Sequence, residues 1–127
     1  MSSGLRAAIL EGMLPRLPAF CSRFHKAIEL IGGRWSGTIL RVLLRGPARY
    51  ADFRSQIPDI NDRMLSERLK ELEREGLVER RVIPETPVRV EYELTEKGHA
   101  LEKALRAVAT WAEEWLPIET PRGRARR

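Results

Sequence analysis

The residues able to do chemistry in this chain are few, and most are cationic. Cys21 is the single cysteine, so no intrachain disulfide can form. His25 and His99 lie far apart and complete no Cys-x-x-Cys or His-x-x-x-His spacing, so neither a metal nor a cofactor is expected. No Ser-His-Asp set, paired acid or phosphate-cradling loop is legible, and Gly32-Gly33 reads as a helix stop because no strand precedes it. No enzymatic activity is expected. What remains is recognition chemistry. With Leu65 turned inward on a helix over Asn61–Glu75 and 100° per residue, Arg63, Glu67, Lys70 and Arg74 share the opposite face. Ser66 and Glu71 flank it. Such a face fits a duplex groove: Arg63 can read guanine, Glu67 can accept from cytosine N4, and Met64 can meet a thymine methyl. Ser66 lies with them in the first two turns, whereas Lys70 and Arg74 suit phosphate. The same residues also fit a solvated face laced with Arg63–Glu67 and Glu67–Lys70 pairs, each worth about 0.2–0.5 kcal/mol.

A second group of cations lies on extended segments. Arg81 and Arg89 are candidates for contact with a nucleic-acid backbone or minor groove, while Arg80 is left open because strand register is not fixed. Cross-strand pairing with Glu79, Glu91 and Glu93 is the competing reading. Arg49, Tyr50 and Arg54 are weaker phosphate candidates. Cys21 reads as a small apolar residue or as a reactive thiol among Arg23, His25 and Lys26. Trp35, Trp111 and Trp115 have helical surroundings and read as core or dimer packing rather than an aromatic cage.

The elements that must position these groups follow from periodicity. Apolar residues four apart (Leu5, Ile9, Met13) predict a helix over Leu5–Leu14, followed by a connector with Pro15 and Pro18. Helices are predicted over Arg23–Ile31, Ser36–Leu44 with Trp35, Ile39, Val42 and Leu43 inward, and Ala51–Gln56 with Phe53 and Ile57 inward. Ala48-Arg49-Tyr50 reads as an extended bridge. Pro58-Asp59-Ile60 is a tight turn, Asn61 an N-cap for the helix that follows, and Gly76 its stop. The period then changes to two: Leu77–Ile83 and Arg89–Thr95 form a hairpin around Pro84-Glu85-Thr86-Pro87. A last helix begins at Thr95 and runs through Leu101, Leu105, Val108, Ala112 and Trp115 to Pro117.

At 127 residues the chain holds one core. No apolar run reaches the ~20 residues of a membrane span, and Met1–Arg6 lacks a secretory signature, so a cytoplasmic protein without membrane contact is expected. The formal charge of +5 is mostly a tail effect: Arg122, Arg124, Arg126 and Arg127 account for four of 23 basic residues, leaving 19 against 18 acidic ones. Arrangement, not total charge, must carry any nucleic-acid reading.

The order of helices, tight turn, amphipathic helix and hairpin is that of a mainly α winged helix-turn-helix. Glu29–Trp35, Ile39–Pro47, Met64–Leu72 and Arg89–Thr95 together resemble the HxlR group of bacterial regulators, relatives of the MarR family. The resemblance spans about Cys21 to Trp115. It implies a transcriptional regulator that binds double-stranded operator DNA as a homodimer joined by its terminal helices, with a small-molecule or oxidant effector conceivable. Members commonly carry a cysteine followed by proline near the N-terminus; here Ser22 follows Cys21, which is retained as a candidate redox sensor. Three parts are expected: an N-terminal helix and connector over residues 1–20, the winged domain with its C-terminal dimerisation helix over 21–117, and a basic disordered tail over 118–127. The alternative is a winged helix used only for protein contacts. Deleting Pro121–Arg127 should weaken binding to specific and random duplexes alike. It should also flatten the salt dependence by roughly 0.9 log unit for each phosphate no longer neutralised, as titrations at several salt concentrations would measure.

Overall fold

The computed structural model of the protein describes residues 20–119; the helix expected over Leu5–Leu14 and the arginine tail lie outside them. The described residues form α1 (Ser22–Gly32), α2 (Ser36–Leu44), α3 (Tyr50–Gln56) and α4 (Asp62–Arg74). The hairpin β1 (Val78–Ile83) and β2 (Arg89–Leu94) follows, then α5 (Glu96–His99) and α6 (Glu102–Trp115). This is a mainly helical winged helix-turn-helix with one two-stranded antiparallel sheet.

The core is assembled from one stripe of each element. Ile39, Leu40, Val42 and Leu43 of α2 meet Phe53 of α3, and Ile57 and Ile60 of the tight turn close the gap. Leu65, Leu69 and Leu72 of α4 complete the layer, with Leu77, Val78, Tyr92 and Leu94 of the hairpin and Leu105 of α6 at its edges. The 4-3 spacing of the three leucines buries one helical face and leaves the opposite one in water. α4 starts where expected: the Asn61 side chain accepts from the Met64 N–H at 2.8 Å. It ends because Gly76, at φ 78°, takes the left-handed conformation that turns the chain into β1.

The register pairs Val78 with Leu94, Arg80 with Tyr92, Arg81 with Glu91 and Ile83 with Arg89. Val78, Tyr92 and Leu94 therefore share the core face, and Arg80 falls on that side too. Burial, partly offset by a hydrogen bond from Arg80, raises the Tyr92 phenol above its ordinary range and keeps it a neutral hydroxyl.

Two local readings need correction. Ala48 does bridge Tyr92 through two backbone hydrogen bonds, but Tyr50 belongs to the first turn of α3 rather than to the bridge. The turn is stabilised there because Asp52 accepts from the Arg49 N–H at 2.8 Å. The last helix is two: α5 stops after one turn and α6 restarts at Glu102. Trp35 packs against the core as expected, half-buried at the N-cap of α2 in a left-handed conformation, φ 75°, with the Arg34 guanidinium 5.4 Å over its ring.

Phe53 is fully enclosed where α2, α3 and the hairpin converge, its ring edge-on to Tyr92 at 6.2 Å. Phe53→Ala should cost about 3–5 kcal/mol, read as a lower urea midpoint at unchanged slope.

Candidate nucleic-acid interface

The helix-turn-helix places the outer face of α4 free of the core. Arg63, Glu67, Lys70 and Arg74 are all exposed, Ser66 and Glu71 half-exposed at the flanks, as the helical wheel requires. The Arg63 side chain is 89% exposed, with its Nε 3.3 Å from Glu67 Oε1 across one turn. A pair this open is weak enough for a ligand to displace. Met64 is half-buried and packs against the core, so it meets solvent by only part of its surface. At the start of α4, Arg54 of α3 holds Asp62 at 3.1 Å, which ties the two helices across the turn. Arg49 is exposed and Tyr50 half-buried beside Tyr92, both at the N-terminal end of α3. The structure thus brings Arg63, Ser66, Glu67, Lys70 and Arg74 together on one helix, with Arg49 and Tyr50 on its neighbour.

The wing is less open. Its outer face carries Glu79, Arg81, Arg89, Glu91 and Glu93. Arg81 Nη1 bonds Glu93 Oε1 at 2.5 Å, and Arg89 is held between Glu85 (3.2 Å) and Glu91 (3.3 Å). Both wing arginines favoured from sequence are therefore engaged by carboxylates. Arg80, left open from sequence, is turned toward Tyr92.

Cys21 is exposed at the N-cap of α1, with Phe20 against His25 at 5.2 Å between ring centroids. His25 is exposed and paired with Glu29 at 3.5 Å; His99 is exposed on α5. Among the described residues no group of histidines, cysteines and carboxylates is spaced to hold a metal, and no helix is long and apolar enough to cross a membrane.

One cation has a role that the charge pattern of the sequence does not single out. Arg68 points inward from α4, donating from Nε to the Arg34 carbonyl at 2.8 Å while its Nη1 meets Glu71 at 3.3 Å. A signal exists in its spacing: three residues past Leu65, it falls 60° from the buried stripe rather than on the outer face.

The family model described as HxlR-like helix-turn-helix matches residues 30–120. The HTH-type transcriptional regulator YvaP of Bacillus subtilis is 50% identical over 96 residues, 76% of this chain and 89% of its own. YodB of the same organism is 47% identical over 95 residues, 75% and 85% of the two chains. The chain belongs to the HxlR-like helix-turn-helix family. It is a transcriptional regulator of the helix-turn-helix type. The solved reduced form of YodB superposes with a TM-score of 0.70 at 44% identity, covering 80% of this chain and 99% of that one. YodB has also been solved after diamide treatment and with quinone bound. The redox regulator HypR in its oxidised form gives 0.72 at 35% identity, covering 76% and 99%.

In this HxlR-family regulator both hairpin arginines are paired with carboxylates. Glu85→Gln, Glu91→Gln and Glu93→Gln together should raise affinity for random duplex DNA. The salt slope should steepen by up to about 0.9 log unit per freed arginine. An unchanged slope in salt-dependent binding isotherms would place these arginines off the duplex.

Proposed function

We propose that this regulator binds double-stranded DNA sequence-specifically as a homodimer, with α4 as the recognition helix and the hairpin as the wing. The observation that carries the reading is the outer face of α4. Arg63, Glu67, Lys70 and Arg74 stand clear of the core on the helix that follows the helix-turn-helix turn, anchored behind by three buried leucines. Arg63 and Glu67, in the first two turns, fit base-edge donors and acceptors; Lys70 and Arg74 fit phosphate. Met64 and Ser66 shape its edge, Arg49 and Tyr50 at the N-terminal end of α3 are further phosphate candidates, and Arg81 and Arg89 serve the wing once their carboxylates yield.

Dimerisation is supported by apolar surface exposed among the described residues. Phe24 and Ile28 of α1, and Val108, Trp111 and Trp115 of α6, are all about half or more exposed. Apolar faces of that size on two helices mark a protein contact rather than a solvated surface. Cys21, exposed at the head of α1, is the proposed input for oxidants or electrophiles; the kinship with YodB and HypR favours that role over an inert thiol.

Selection of bound sequences from random duplex DNA, with and without an oxidant, tests the reading. It should return an inverted repeat with half-site centres about 34–36 Å apart. Arg63→Ala should then cost about 1–3 kcal/mol on the selected site and much less on random sequence. Equal losses on both would make Arg63 a phosphate contact. No selected sequence at all would favour a winged helix that contacts only protein.

A further inference from the structure

The C-terminal end of α4 is held in a way that recognition alone does not require. Glu75, the residue that ends the helix, is met from two sides. From α1, Lys26 Nζ lies 3.4 Å from the Glu75 carboxylate. From α5, Lys97 Nζ donates to the Glu75 carbonyl at 2.6 Å, and Thr95 Oγ1 donates to the carbonyl of Gly76. Two ammonium groups at a helix C-terminus complement its dipole and satisfy a carbonyl left without an intrahelical partner.

The α5 side of this grip is rigid. Thr95 Oγ1 also caps the Gly98 N–H, and the Thr95 N–H donates to the Leu77 carbonyl at 3.1 Å. Gly98 is buried directly against that carbonyl, so closely that an added Cβ would collide with its oxygen. Glycine at 98 therefore lets α5 press onto the chain just after α4, and this seats Lys97 over Glu75. The α1 side is softer. The Lys26 pair is partly exposed, 69% and 31% for its two side chains, and such a pair alone contributes little to stability. Arg68 supports it nearby by tying α4 to the Arg34 carbonyl in the turn after α1. Of the two elements that meet at Glu75, α1 carries exposed apolar residues itself, and α5 lies two residues before α6, which carries the others.

We infer that the Lys26–Glu75–Lys97 junction transmits the geometry of the dimer arms to α4, making these residues positioning determinants of half-site spacing. The inference rests on the homodimeric reading above. None of the three side chains needs to touch DNA; they fix how far apart, and at what angle, two recognition helices are presented.

The test uses the full chain and a palindromic duplex selected by the wild-type protein from random DNA, together with versions carrying one or two extra base pairs between half-sites. Two extra base pairs rotate one half-site by roughly 70° about the duplex axis. Wild type should lose at least about tenfold in affinity for that duplex. Lys26→Met and Lys97→Met together should lose markedly less, while affinity for a short duplex with a single half-site stays within about threefold of wild type. Reversing the α1 pair, Lys26→Glu with Glu75→Lys, should restore the wild-type spacing profile. A double variant that keeps the wild-type profile overturns the junction and leaves the dimer standing. So does a uniform loss on single and paired half-sites, which would mark a merely structural contact. A wild-type protein indifferent to spacing overturns the dimeric reading, and the junction with it.

Discussion

Everything in this domain is arranged around the burial of Leu65, Leu69 and Leu72. All three are at or near zero exposure, and they fit between α2, Phe53 and the base of the hairpin. Once that stripe is enclosed, the rotation of α4 about its axis is no longer free. A rotation large enough to hide Arg63 or Lys70 would expose leucine, at about 1.5–3 kcal/mol for each fully buried side chain. The hydrophobic effect has no interest in arginine, yet it determines which arginines face outward. Arg68, 60° from the stripe, is turned in and spends its guanidinium on a backbone carbonyl; Arg63, on the far side, stays in water.

The electrostatics follow a different rule. Four cations near the proposed DNA surface have a carboxylate within reach: Arg63 has Glu67, Arg54 has Asp62, Arg81 has Glu93, and Arg89 has both Glu85 and Glu91. These pairs are exposed or half-exposed, so each stabilises the fold little. Their larger consequence is competitive. In the proposed DNA complex a phosphate would have to displace a carboxylate before it gained an arginine, which would lower affinity for arbitrary duplexes relative to one whose bases reward α4.

The apolar surface left on α1 and α6 is the complement of that compact core. Leu105 is the one buried residue of α6, and α1 buries none, although both helices carry apolar stripes. α1 nonetheless reaches the end of α4 through Lys26, and α5, two residues before α6, reaches it through Lys97, both at Glu75. Surface available for assembly and the end of α4 are thus mechanically adjacent.

Much of this was legible in the residues. The leucine spacing of α4, Asn61 as its cap, Gly76 as its stop and the period-two hairpin follow from interactions between near neighbours in sequence, and α2 ends where its pattern does. The outer face of α4 was legible for the same reason, since helical geometry is local. Other features depend on groups brought together from far along the chain. The strand register decided that Arg80 lies beside Tyr92 and that Arg81 and Arg89 meet carboxylates. The break between α5 and α6, and the close seat of Gly98 against the Leu77 carbonyl, are features that no helical period encodes. Nor could spacing alone show Glu75 between Lys26 and Lys97, because the three are separated by 49 and 22 residues. The sequence by itself determined the elements and their inward faces, because those depend on residues three or four apart. Only the tertiary structure decided which charges are free and which are already engaged, because an ion pair depends on distance in space.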